Sequence, residues 1–477
     1  MSDRLNILFV APEVAPFARS GQLADVTGSL PKALKEMGHD VRVITPQYRV
    51  TNERRYVLRD VIRLHDIQVS LSGEPVQFHV KSAFLPHTKV QVYFLNYRPY
   101  FFREGLYADI ETGVAYEDND RRYELLALGA LETLRRLRWQ PDVIHCHGWP
   151  SAFVPYYLKT QFKDDAFFSE TRTLFSLHDG LRTGPLAEAA VKRLNEEADG
   201  GPVFTQEPAA LLELGLRYSD GAHVAVSPAH PELAAAAEKQ AAKYNVPVSR
   251  IENGFDGCRW NPESDPFLKN RFSAENMDGK AECRRRLLNE FGISRDEALS
   301  ASVLTLWAQR GEDLSAALAQ ASVLTQAGWT LLVYAEDRGA ETAVAAAGLE
   351  KNSAVISVKT PDEASLHRVI AGSDSVWLNS VEALDYHLHQ VVLRYGAKPF
   401  VGFPVKGLTV APTSEKLENP GALVLSAAKT VKALKSFVET VNERDAWSVV
   451  AGAEMQLGHS WLDAVSAYEA LYCEGND

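Results

Sequence analysis

Short β-branched runs alternate with longer stretches of helical period along almost the whole chain. In the first half the runs are Ile7 to Val10, Val41 to Thr45, Val90 to Leu95, Val143 to His147, Thr173 to Leu177 and Ala222 to Val226. Polar or glycine-containing turns separate them from the helical patterns. Strands that are apolar along their length and joined through helices predict a parallel sheet covered on both faces. The second half repeats the theme with Leu299 to Leu306, Thr330 to Tyr334, Ala354 to Val358, Ser375 to Leu378 and Lys398 to Val401, separated by helical stretches such as Asp313 to Ala327 and Ser365 to Ile370. The fold class is therefore α/β, with two independent Rossmann-like domains.

Between the halves, "NGFDGCRWNPESDPFLKN" (253–270) has no periodicity and is rich in Asn, Gly, Asp and Pro, as an irregular connection between domains would be. A chain of 477 residues also exceeds what one core normally serves. Near the end, Trp461, Ala464, Val465, Tyr468 and Leu471 recur at helical spacing and predict a helix docked on the body. The expected division is 1–250, 251–456 and a terminal helical segment, 457–477.

A net charge of −12 disfavours a broad nucleic-acid-binding face. No apolar run approaches the roughly 20 residues of a membrane span, and the apolar stretch before Pro12 and Glu13 is too short for a signal-peptide core, so a cytoplasmic protein is expected. Cys146, Cys258, Cys283 and Cys473 have no paired spacing and read as reduced thiols.

The opening "NILFVAPEVAPFARSGQLADVTGSLPKALKEMGHDVRVITPQY" resembles the start of bacterial glycogen synthases and plant starch synthases. Further stretches resemble that family in order: "DVIHCHGWPSAFVPYYLK" (142–159), "TLFSLHDGLRTG" (173–184), "NGFDGCRWNPESDPFL" (253–268), "RYGAKPFV" (394–401) and "SWLDAVSAYEALY" (460–472). The resemblance implies the GT-B fold, two Rossmann-like domains facing across a cleft with the C-terminal helix crossing back to the first. It implies a retaining transfer of glucose from ADP-glucose or UDP-glucose to an α-1,4-glucan, with no bound metal and no cofactor. The departing diphosphate must then be neutralised by protein cations and backbone N–H groups.

Matched residue by residue, the family's Lys-Thr-Gly-Gly loop becomes Arg19-Ser20-Gly21-Gln22. Arg19, Ser20 and Gly21 keep a charge, a hydroxyl and one glycine for the phosphates, whereas Gln22 adds a side chain where the backbone must come close. In the Ser-Arg-Leu-Thr-x-Gln-Lys-Gly run, Arg310 takes the lysine's place and Thr305 the arginine's. Losing one positioned cation in a desolvated site costs on the order of 3 kcal/mol of transition-state stabilisation. Counting back from Arg394-Tyr395-Gly396 puts Ala383 at the family's functional glutamate, with Glu382 one residue upstream and turned about 100° away on a helix. A phosphate-cradling Thr-Gly-Gly becomes Val405-Lys406-Gly407, where Lys406 offers a replacement charge.

On the acceptor side His-Asp-Trp-His-Thr becomes His147-Gly148-Trp149-Pro150-Ser151: Trp149 either stacks on a sugar or packs in the core, and Gly148 supplies no carboxylate. His178 matches a family histidine near the reacting sugar, and Asp179 replaces its asparagine neighbour, with Arg182 as a pairing partner. His145 and His147 point to one face of a strand, but no third metal ligand is near in sequence.

These replacements fall on the chemistry, while framework residues such as Pro12, Gly28, Pro31, Trp260, Asn261, Pro262 and Trp461 persist. Drift in an unused protein would damage both sets equally. Three readings follow: a weak or inactive transferase that binds α-glucan such as glycogen or regulates its metabolism through a protein partner; a transferase with a rebuilt phosphate site for a sugar nucleotide; or an assembly subunit using the fold as a surface.

Overall fold

The computed structural model describes residues 4–178, 184–197, 202–204, 209–226, 231–293, 301–380, 382–385, 387–402, 423–424, 427–457 and 460–473. The chain divides into two units: Met1–Val226 with Glu232–Asn253 and Trp461–Asp477, and Ser227–Pro231 with Gly254–Ser460. No helix among the described residues is long and apolar enough to cross a membrane.

Ten described strands build the sheet of the first unit. They are β1 (Asn6–Val10), β2 (Asp40–Pro46), β3 (Arg59–Asp60), β4 (Ile67–Leu71), β5 (Glu74–Phe84), β6 (Gln91–Asn96), β7 (Val143–His147), β8 (Arg172–Leu177), β9 (Gly221–Val226) and β10 (Val248–Glu252). The order is β10-β9-β8-β7-β1-β2-β6-β5-β3, with β4 beside β5. From β10 to β6 every pairing is parallel. The chain steps from β1 through β2 to β6 on one side, then returns to the other side of β1 with β7. Beyond the carboxyl ends of β1 and β7 the crossovers diverge, leaving the crevice in which open α/β sheets hold ligands.

Alternation along β1 sends Leu8 and Val10 to one core with the helix Asn119–Leu137, and Ile7 and Phe9 to the other. That second core is closed by the helix Gln22–Glu36 and by the C-terminal helix Trp461–Cys473, through Trp461, Ala464, Val465, Tyr468, Leu471 and Tyr472. The expected terminal helix is thus part of the first unit. Gly28 has a steric reason: a Cβ there would lie 2.6 Å from the carbonyl oxygen of Ala15 in the loop beneath.

The second unit carries a parallel sheet in the order β13-β12-β11-β14-β15-β16. These strands are β11 (Ser302–Ala308), β12 (Trp329–Ala335), β13 (Val355–Ser357), β14 (Ser375–Leu378), β15 (Lys398–Val401) and β16 (Leu423–Val424). Its switch lies between β11 and β14. The helical stretch expected over 313–327 is broken into a 3-10 turn, Gly311–Leu314, and two short helices, Ser315–Leu318 and Ala321–Gln326. Gln320, at φ −99° and ψ 0°, interrupts the helical geometry.

Asp374, fully buried just before β14, knits this unit together. Its carboxylate accepts from Arg284 at 2.8 Å, Arg444 at 2.9 Å, the Val303 N–H at 2.9 Å and the Trp447 indole at 3.3 Å. Burial works against its charge, yet the two guanidiniums hold its carboxyl below the usual carboxylate range. Asp374→Ala would strand the buried Arg284 beside a void. The expected loss is about 3–5 kcal/mol of unfolding free energy, checked by urea titration.

Candidate active site

In the first unit the site is built from the loops that follow β1, β7 and β8. After β1 the chain bends under itself so that Glu13 is completely buried. One carboxylate oxygen of Glu13 accepts from the Ser20 hydroxyl at 2.9 Å and the Tyr107 hydroxyl at 2.6 Å. The other accepts from the backbone N–H of Ser20 and, at 3.3 Å, of Gly21. Burial, then the charge of Glu13, drives the Tyr107 hydroxyl well above its ordinary pKa, so it remains a donor. The helix Gln22–Glu36 thus starts over a carboxylate from its own loop. That anion sits where unpaired N–H groups and the helix dipole would otherwise favour a phosphate.

Arg19 is ion-paired with Asp25 of the first helical turn at 2.8 Å, with its side chain 43% exposed. Gly21 is extended at φ −154°, a geometry any residue adopts, and Gln22 is the half-buried first residue of the helix.

Gly148 follows β7 at φ 69° and ψ 172°, a region that only glycine enters without strain. A carboxylate cannot be returned there by a simple swap, because the backbone itself selects glycine. The ring of Trp149 lies 5.0 Å from Tyr123, edge to face, and 5.9 Å from Tyr107. Gly184 covers it so closely that a Cβ there would stand 2.3 Å from the indole. Trp149 is therefore partly packed and partly exposed. Tyr107 ties it to Glu13, so the β1 and β7 loops share one side chain.

Parallel register places Phe9, His145, His147, Ser176 and His223 on one face of β1, β7, β8 and β9. The C-terminal helix lays Tyr468 and Tyr472 over them. The Tyr468 hydroxyl donates to the Asn253 side-chain carbonyl at 2.8 Å, so its oxygen must accept from His223 Nε2–H at 3.1 Å. His223 Nδ1 then accepts from the Ser176 hydroxyl at 2.8 Å, and Ser176 Oγ accepts from His145 Nε2–H at 2.6 Å. His145 Nδ1 accepts from Tyr472 at 2.8 Å. Every proton in this row has one place, provided that each histidine is neutral. Burial enforces neutrality: it takes His223 down to about 3 and His145 well below its ordinary value.

His178, at the end of β8, completes the cluster. Its Nε2 lies 3.1 Å from Nδ1 of fully buried His147, the rings stack at 5.3 Å, and burial lowers its pKa to about 4. Asp179 and Arg182 lie outside the described residues. No group of three His, Cys, Asp or Glu side chains among the described residues is arranged to hold a metal ion.

The second unit has its own constellation at the ends of β11 and β14. Arg310 is 57% exposed and lies 2.9 Å from Glu312 and 3.5 Å from Asp313. Asp337 accepts the backbone N–H of Gly311 at 3.0 Å and of Gly339 at 2.8 Å. A Cβ on Gly311 would meet the Gly339 carbonyl at 2.5 Å, which explains glycine there. Thr305 is buried in mid-strand, its hydroxyl 2.7 Å from that of Ser373. Ala383 and Leu384 are fully buried in an apolar cluster with Leu378, Leu388 and Val391. Glu382 opens the four-residue helix Glu382–Asp385. Lys406 and Gly407 lie outside the described residues.

Comparison with known proteins agrees with this architecture. The model of the starch synthase catalytic domain matches residues 6–237. A glycogen synthase of Chlorobium luteolum is 31% identical, and one of Pelodictyon phaeoclathratiforme 30% identical, over 98% and 99% of both chains respectively. This chain belongs to the glycogen and starch synthase family. Among solved structures, the catalytic domain of Arabidopsis thaliana starch synthase IV bound to ADP and acarbose is similar, with a TM-score of 0.76 and 20% identity over 98% of this chain and 99% of that one. Sucrose-phosphate synthase from Thermosynechococcus elongatus gives a TM-score of 0.51 at 14% identity, covering 98% of each chain. The fold is GT-B, and the chain is glycogen-synthase-like, of the glycosyltransferases of glucan metabolism.

Arg19, Ser20 and Gly21 share one loop, and Trp149 and His178 follow adjacent strands, as the sequence led us to expect. Glu13, Tyr107 and Asp337 escaped that reading, and His147 entered it only as a weak metal candidate and not as a neighbour of His178. Glu13 had left one signal, the one acid in the strand-to-helix loop 11–21.

The buried imidazoles predict the acid response. Unfolded, each regains a pKa near 6.5, so below that pH the unfolded chain binds more protons than the folded one. Stability should be level above pH 6.5 and fall as pH drops from there toward 4. Each such histidine adds up to about 1.4 kcal/mol per pH unit. Urea midpoints measured across that window check the slope.

Proposed function

We propose that this chain is a glucan-binding member of its family that transfers glucose slowly or not at all and serves glycogen metabolism through binding or regulation. One observation carries the reading: at both switch points, polar groups suited to a sugar diphosphate already have acidic partners within the chain. Glu13 takes the N–H groups of Ser20 and Gly21, and Asp337 takes those of Gly311 and Gly339. Arg19 is paired with Asp25, and Arg310 with Glu312 and Asp313. A diphosphate leaving without a metal depends on such donors and cations being aimed at it. Trp149 and His178 remain as groups for a sugar face and its hydroxyls. We place the protein in the cytoplasm, with α-glucan as ligand and a partner protein to be sought by co-purification.

Exposure of both guanidiniums favours a second reading, in which Arg19 and Arg310 swing onto a sugar nucleotide and Lys406 adds a third charge. Transfer of radiolabelled glucose from ADP-glucose and UDP-glucose to glycogen separates the two. The first reading expects turnover at least about a hundredfold below that of an active relative, with co-sedimentation on glycogen that weakens in Trp149→Ala. Turnover near that of the relative, lost in Arg19→Ala, would establish the second.

Ala383→Glu provides a further check. A carboxylate placed in that apolar cluster should destabilise the fold by several kcal/mol without raising transfer. A gain in transfer with unchanged melting temperature would mean that the position opens onto the donor.

A further inference from the structure

We propose that His147 is a positioning residue that decides which nitrogen of His178 carries the proton, so that His178 meets its ligand as a neutral Nδ1–H donor. A neutral imidazole has one N–H, and only one of the two rings can donate across the 3.1 Å contact between His147 Nδ1 and His178 Nε2. The other nitrogen of His147, Nε2, is buried with no hydrogen-bond partner among the described residues. Were His178 the donor, the His147 proton would sit on that nitrogen as a buried N–H facing no acceptor. With His147 donating from Nδ1, Nε2 keeps only a lone pair, the less costly of the two orphans.

Among the described residues the surroundings offer no alternative partner. Phe9 stacks on His147 at 4.9 Å and 17°, and the adjacent His145 ring uses both its nitrogens on Tyr472 and Ser176. Burial keeps both rings uncharged, reinforced at His147 by the neighbouring imidazoles. The consequence for recognition is specific. Nδ1–H of His178 seeks an oxygen lone pair, such as that of a sugar hydroxyl or ring oxygen, whereas the tautomer favoured by free imidazole in water would present a lone pair of its own.

This inference rests on the reading that His178 faces a sugar, but its first test needs no ligand. The full-length protein is labelled with 15N-histidine and its imidazoles are read by two-bond 1H–15N correlation, with His178→Gln assigning the signal. His178 should report Nδ1–H; an Nε2–H, averaged or cationic signal would overturn the proposal. His147→Phe should shift His178 to Nε2–H, while His147→Asn, whose amide nitrogen takes the place of Nδ1, should hold the native tautomer. If His147→Phe does not fold, the wild type and His147→Asn still decide, because loss of Nδ1–H in a folded Asn variant refutes the assignment. Maltooligosaccharide binding by calorimetry should weaken roughly three- to tenfold in the Phe variant and stay near wild type in the Asn variant. An expected tautomer with no binding in any protein would support the positioning role and overturn the glucan-binding reading.

Discussion

A row of neutral hydrogen-bonded side chains, from Tyr472 through His145, Ser176, His223 and Tyr468 to Asn253, holds the last helix of the chain against its first sheet. Residues up to 327 positions apart meet in it. His145, Ser176, His223 and Tyr468 each both give and accept, so a single charge or missing hydroxyl leaves a neighbour buried and unpaired. That requirement explains why four histidines can lie so close together without metal-binding geometry among the described residues.

The candidate site is shaped by a second constraint, the pull of backbone N–H groups at helix starts on any nearby anion. Here the anion is supplied from within. Glu13 stands under the helix of the first unit, and Asp337 performs the same service for Gly311 and Gly339 in the second. Such carboxylates satisfy the loop N–H groups from within and fix the loops that carry them.

Much of the strand placement was legible beforehand because buried parallel strands are apolar along their length, and ten of the runs read from sequence coincide with described strands to within a residue or so, while Leu299 to Leu306 begins in the undescribed stretch before β11. The antiparallel extension through β3, β4 and β5 was missed. Its one-sided alternation, with Pro75 at the start of β5, hides among polar residues. The helix expected over 313–327 was overestimated, since composition does not reveal where the backbone at Gln320 leaves helical geometry.

Sequence by itself determined the family and the α/β class, because these depend on residue identity and local period, and it singled out Gly148, Arg310 and Ala383 as positions whose chemistry departs from the resemblance. Tertiary structure alone decided the surroundings of these residues. Gly148 answers to a backbone at φ 69° and ψ 172°, Ala383 to an apolar cluster, and Arg19 to the carboxylate of Asp25 in the first turn of the helix that follows its loop. Those facts arise from distances between residues far apart in the chain or on different turns, and local propensity carries no record of them.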